Sequence, residues 1–171
     1  DDFAPVVDRA PFLRQLQSRI GGRFPVSANT LLRGTCDLAA TVMGVEEACI
    51  GWIQSPGFMS RLLRVCTDAV LAVVEAGYQV LEPFEGGYTS GFAIWAPGQV
   101  VGTQADHSVL LSARTYKEQI LPYDREVIGS RPYSIIHLHS AGLRMVPLLV
   151  EVPELVDAGG EQHRGMTVAQ F

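Results

Sequence analysis

The stretch Pro132-Tyr133-Ser134-Ile135-Ile136-His137-Leu138-His139-Ser140 joins an apolar segment to a polar end. Aromatic and β-branched residues favour a β-strand up to His137, and proline is tolerated where a strand begins. Side chains two residues apart share a face of a strand, so His137 and His139 are expected to point the same way. The sequence therefore predicts a strand that carries two imidazoles at its C-terminal end.

A second predicted strand precedes this one and ends in another polar pair. Val100 to Ala105 is apolar enough for a buried strand, and Asp106 and His107 follow it directly. Helical periodicity and turn residues predict the remaining elements. These are helices at 12–20, 35–43, 46–53, 56–76, 113–128 and 143–150, a strand at 24–29, a short extended piece at 92–95 and the start of another strand at 154–156.

The alternation of strands and helices predicts an α/β fold with parallel strands and helical crossovers. A closed (β/α)₈ TIM barrel needs about 250 residues, and this chain has 171. We therefore expect residues 1–171 to form a single domain that is a segment of a larger TIM barrel. A small open α/β sheet is the alternative.

Composition excludes several classes of function. The net charge is −5 with one lysine and scattered arginines, so we expect no nucleic-acid partner. The longest apolar run, Val70 to Val74, is too short to span a bilayer, so we expect no membrane partner. Three cysteines without close pairing are typical of a reducing compartment, and no secretion signal is visible, which favours a cytoplasmic protein.

Three stretches, spread over about residues 24–155, resemble the uroporphyrinogen decarboxylase superfamily, which includes decarboxylases and zinc-dependent corrinoid methyltransferases. They are Gly34-Thr35-Cys36-Asp37-Leu38-Ala39 with Met43-Gly44, Asp106-His107-Ser108-Val109-Leu110-Leu111-Ser112 with Leu121-Pro122-Tyr123-Asp124-Arg125, and Tyr133 to Ser140. The resemblance implies a TIM barrel whose middle strands match this chain.

The resemblance also implies a chemistry. Methyltransferases of the superfamily carry a His-x-Cys zinc pair where this chain has His137 and His139, and a later cysteine is their third ligand. Here His139 replaces the cysteine, and no cysteine follows it. The decarboxylases place their catalytic aspartate in an early strand with Arg and Gly, and we find no such segment. The tail after Leu155 also departs from the family pattern.

We predict a site at the C-terminal ends of the strands, where barrels place their active sites. Asp106, His137 and His139 are the candidate catalytic residues, and His137 and His139 are candidate Zn²⁺ ligands, with Asp106 as the third. Hydrogen-bonding histidines at a strand end are the alternative. The candidate substrate-binding residues are Thr35, Cys36, His107 and Ser140. Tyr123, Asp124 and Arg125 are expected on the long helix, on the outside of the barrel, in a structural role.

These expectations lead to two hypotheses. The first is a uroporphyrinogen decarboxylase-like enzyme, a methyltransferase or a lyase of the decarboxylase type, that acts on a carboxylated or methylated small molecule. The second is a non-catalytic or fragmentary α/β domain without a complete active site. Its expected protein partner is a second copy of the chain or the remainder of the barrel.

Overall fold

The structure is a computed structural model that describes residues 10–27, 33–91, 93–153 and 166–169. Among these residues, four helices come first along the chain, and helical elements alternate with strands only from residue 100 onward. The α-helices are α1 (Ala10–Ile20), α2 (Thr35–Met43), α3 (Val45–Gln54), α4 (Pro56–Tyr78), α5 (Ala113–Thr115), α6 (Leu121–Ile128) and α7 (Val146–Leu149). A π-helix (Tyr116–Ile120) joins α5 to α6, and two 3₁₀ helices cover Asp106–Leu110 and Ser140–Met145.

The strands form two sheets. A small antiparallel pair consists of β1 (Tyr88–Thr89) and β2 (Trp95–Ala96). The main sheet is parallel and contains β3 (Val100–Gln104), β4 (Tyr133–His137) and β5 (Met166–Ala169) in that order. The α/β class with parallel strands is therefore confirmed. Within the described residues this sheet has three strands and does not close into a barrel.

Most predicted elements between residues 10 and 150 are present with small shifts at their ends. Helix α1 ends at Gly21 and Gly22, whose φ angles of 60° and 72° favour glycine. Ser55 directly precedes α4, but its side chain makes no cap hydrogen bond to the helix. The predicted strand at 24–29 has no strand in its described part, residues 24–27, and the one predicted at 154–156 lies outside the described residues. Strand β5 was not predicted.

The central strands are buried on both faces, as parallel sheets usually are. Ile136 packs into the larger core with residues from helices α2, α3 and α4, while Ile135 packs on the opposite face with Val100. Large side chains with no more than 2% exposure fill the larger core: Trp52, Met59, Leu63, Tyr116, Ile136 and Leu138. A core of this kind holds the strand ends rigidly enough to position side chains.

The parallel register brings the C-terminal ends of β3 and β4 together. Gln104 pairs with His137, so Asp106 and His139, each two residues further on, emerge at the same edge of the sheet. Gly34 brings the start of α2 to this edge as well. A Cβ at Gly34 would lie 1.8 Å from the Gln104 carbonyl oxygen, so only glycine allows this approach.

Among the described residues, no helix is both long enough and apolar enough to cross a membrane. The longest, α4, spans 23 residues and carries a buried face against both α2 and α6.

Candidate metal centre

Asp106, His137 and His139 converge at the C-terminal edge of the sheet. His139 Nε2 lies 3.4 Å from Asp106 Oδ2, and His137 Nε2 lies 3.7 Å from Asp106 Oδ1. The two imidazole rings meet edge to face with centroids 5.2 Å apart. One nitrogen or oxygen atom from each of the three residues lies within 4.8 Å of the other two. The side chains that the sequence placed on one rim therefore form one cluster.

The distances in this cluster suit a tetrahedral ion. Zinc binds imidazole nitrogen and carboxylate oxygen at about 2.0–2.2 Å, so neighbouring tetrahedral ligands stand about 3.4 Å apart. The separations of 3.4 Å from His139 to Asp106 Oδ2 and 3.7 Å from His137 to Asp106 Oδ1 are close to that value. With one ligand atom from each residue, all three atoms lie within 4.8 Å of one another, so a bound ion would draw them slightly closer. Three protein ligands would leave the fourth position open, as catalytic zinc sites do.

Asp106 itself carries an unused acceptor. Its Oδ1 atom is buried and has no hydrogen-bond partner, while Oδ2 accepts a hydrogen bond of 3.2 Å from Gln104 Nε2. A buried carboxylate oxygen without a partner costs free energy. A cation between Asp106 and the histidines would remove that cost. The buried oxygen without a hydrogen bond thus supports a divalent metal ion here, in addition to the distances within the cluster.

The site is open on one side. The side chain of His137 is 12% exposed and that of His139 is 61% exposed, with Asp106 between them at 30%. A ligand arriving from solvent can therefore reach His139 first.

The segment that carries Asp106 is held at both of its ends. At the start of the 3₁₀ helix, the Asp37 carboxylate accepts the backbone N–H groups of Asp106 at 3.0 Å and His107 at 2.7 Å. At its end, the Arg144 guanidinium donates to the carbonyl oxygens of Ser108, Val109 and Leu111. Nothing in the local sequence predicts either contact.

A cavity of about 240 Å³ lies beside the cluster. Asp106 and His107 line it together with Arg33, Asp37 and Thr41. The His107 side chain is buried, which lowers its pKa, and its Nε2 lies 3.9 Å from Cys49 Sγ. His107 thus borders the cavity without joining the three clustered side chains.

The other predicted substrate-binding residues lie in different surroundings. Thr35 and Cys36 are almost fully buried in the core, and Thr35 Oγ1 donates a 2.7 Å hydrogen bond to Asp124 Oδ1. Burial, more than the neighbouring Asp37 carboxylate, raises the pKa of the Cys36 thiol well above its usual value. Ser140 is exposed at the start of the second 3₁₀ helix.

Asp124, on helix α6, points into the core. Its carboxylate is buried and accepts hydrogen bonds of 2.7 Å from both Thr35 Oγ1 and Tyr116 Oη. Burial raises the pKa of Asp124 to about 6, against the lowering effect of the two hydroxyl donors. Tyr123, in contrast, is only half-buried, and its hydroxyl contacts Ser60.

No family model, no curated protein and no solved structure matches the chain. The chemistry of the site therefore rests on its own geometry.

Proposed function

We propose that this chain is a uroporphyrinogen decarboxylase-like barrel protein that binds Zn²⁺ through Asp106, His137 and His139. The single observation that carries the proposal is the convergence of these three side chains, with a buried Asp106 oxygen that lacks a hydrogen bond. Two imidazoles and one carboxylate are a common ligand set for catalytic zinc. The proposed location is cytoplasmic, because the three cysteines are unpaired thiols.

The proposed activity is transfer of a methyl group, or a decarboxylation, on a carboxylated or methylated small molecule. Zinc in the open geometry of this site would lower the pKa of a bound thiol or water and hold the deprotonated form as a nucleophile. A bound zinc ion favours the methyltransferase over the decarboxylase, because the methyltransferases are the zinc-dependent members of the superfamily that the chain resembles. The cavity that Asp106 and His107 line is the proposed place for the substrate.

Zinc binding by a His139→Ala variant tests this function. His139 is the most exposed of the three residues, so its truncation should leave the core intact. We expect zinc affinity to fall by about a hundredfold or more, since even loss of an outer partner of a metal ligand costs about 10–100-fold. Competition with a chromophoric chelator measures the dissociation constant, and binding should also weaken in acid because protonated imidazole cannot coordinate.

His107→Gln is the matched control. This histidine directly follows Asp106 in the chain but faces Cys49, outside the cluster. Its zinc affinity should stay near the wild-type value. Undiminished zinc binding by His139→Ala would remove the metal function, and the histidines would revert to hydrogen-bonding roles.

The alternative, a non-catalytic or fragmentary α/β domain, is favoured by one observation. In the described part of the chain the main sheet has three strands, and β3 pairs with β4 alone. A partial barrel leaves sheet edges that recruit another chain. Light scattering distinguishes the two, because a folded monomer that binds no hydrophobic dye contradicts the fragment, whereas a dimer or larger assembly supports it.

A further inference from the structure

Asp37 lies next to the metal centre without belonging to it. It is on α2, its side chain is buried, and its residue exposure is only 3%. Its two carboxylate oxygens accept hydrogen bonds from two successive backbone N–H groups. Oδ2 accepts from Asp106 and Oδ1 accepts from His107. Asp37, which is 69 positions earlier in the sequence, therefore contacts the main chain of Asp106, a candidate metal ligand.

These two N–H groups need an acceptor from elsewhere. They are the first of the 3₁₀ helix Asp106–Leu110, and the first N–H groups of any helix have no acceptor within it. The residue before this helix, Ala105, cannot supply one, since its side chain has no oxygen, and no side-chain cap is present there. The Asp37 carboxylate fills that role from another helix, and a negative charge at a helix start is favourable.

The contact fixes the direction in which Asp106 points. Its backbone is held by Asp37 on one side and by the Ala105 N–H, which donates to the His137 carbonyl oxygen at 3.1 Å, on the other. From this backbone position the Asp106 carboxylate lies 3.7 Å and 3.4 Å from the two imidazoles, and a short side chain has little reach with which to compensate for a backbone shift. A shift of a few tenths of an ångström would change both ligand separations.

We propose that Asp37 is a positioning residue of the zinc site, which sets the backbone of Asp106 so that its carboxylate lies between His137 and His139. The proposal rests on the zinc-binding function proposed above. It assigns Asp37 no contact with the metal. Its role is to supply, in advance of binding, the geometry that the ligand set needs.

Two substitutions separate positioning from charge. Asp37→Asn keeps the size and one acceptor oxygen but loses one N–H bond and the charge. Asp37→Glu keeps the charge and both acceptors but displaces them by one methylene. We expect both variants to bind zinc about 10–100-fold more weakly than wild type, the range seen when an outer partner of a metal ligand is lost. Cobalt(II) in place of zinc should give a visible spectrum altered from that of the wild type, because its bands depend on ligand geometry.

Asp124→Asn is the control, since it also alters a buried carboxylate but one bonded to Thr35 and Tyr116 instead of the Asp106 segment. It should lose stability in urea while its zinc affinity and cobalt spectrum stay at wild-type values. Wild-type affinity and spectrum in both Asp37 variants would overturn the inference and leave the zinc site standing. A loss of zinc affinity in Asp37→Asn alone would show that Asp37 acts through its charge, and this result would also overturn the positioning role. Wild-type protein that binds neither metal would overturn the proposed function itself, and this inference with it.

Discussion

Asp106 and Asp124 are both carboxylates at the edge of the same core, yet their surroundings differ. Both oxygens of Asp124 accept hydroxyl hydrogen bonds of 2.7 Å, and the residue is 2% exposed. Asp106 has one long hydrogen bond from Gln104 and one buried oxygen with none. A carboxylate with a full set of donors holds neighbouring elements together, whereas one with an unused oxygen retains the capacity to bind a cation.

Removal of both donors from Asp124 should have the largest effect. The double variant Thr35→Val with Tyr116→Phe keeps the shapes of the side chains but leaves a buried charge with neither hydroxyl. We expect the free energy of unfolding at pH 8 to fall by about 3–5 kcal/mol, the usual cost of stranding a buried charge. Urea denaturation followed by circular dichroism measures this. Zinc affinity should be unchanged, and a parallel loss of zinc binding would show that the two carboxylates are not separate in role.

The pH dependence of stability should give the next largest effect. Burial raises the pKa of Asp124 from 3.8 to about 6 in the folded protein, so the native state holds this proton more tightly than the unfolded chain does. The contribution of Asp124 is therefore most favourable below about pH 4 and is lost as the pH rises to about 6, by at most about 3 kcal/mol.

Asp124→Asn isolates that contribution. Burial raises the pKa of Asp37 as well, so the wild-type curve contains more than one group. The difference in unfolding free energy between wild type and Asp124→Asn should fall between about pH 4 and pH 6 and be flat above that. A difference that rises with pH in this window would contradict the assignment of a raised pKa.

Removal of the single donor from Asp106 should have the smallest effect. Gln104→Ala deletes a 3.2 Å hydrogen bond to a carboxylate that is 30% exposed, so water can replace the lost donor. We expect the free energy of unfolding to change by less than about 1 kcal/mol. A loss as large as that of the double variant would mean that the Asp106 carboxylate, like Asp124, serves mainly to hold the fold.

The residues of the candidate site were within reach of sequence reasoning because they follow strands directly. Strand β3 ends at Gln104 and β4 at His137, both close to the predicted ends. Parallel strands place their C-terminal ends at one edge, so Asp106, His137 and His139 had to come near one another. The continuous apolar stripe of α4 likewise predicts a helix from the sequence alone.

The contacts that hold the candidate site in place could not be predicted from the sequence, because each joins positions far apart in the chain. Thr35 and Asp124 are 89 residues apart, and Asp37 reaches the backbone of His107 across 70 residues. Such pairs leave no local pattern of spacing or periodicity. The helix predicted at 113–128 is interrupted by a π-helix that ends just before Pro122, and Tyr116 at its start is buried in the core.

Arg144 links the loop that follows β3 to the loop that follows β4 through hydrogen bonds. Its guanidinium, in the loop after β4, donates to three carbonyl oxygens at residues 108, 109 and 111, in the loop after β3. A displacement of the loop that begins at His139 is therefore expected to shift residues 108–111, which lead into α5. All three contacts come from the Nη2 atom, whose two hydrogens are shared among the three carbonyl oxygens, so separation of the two loops would break these contacts together.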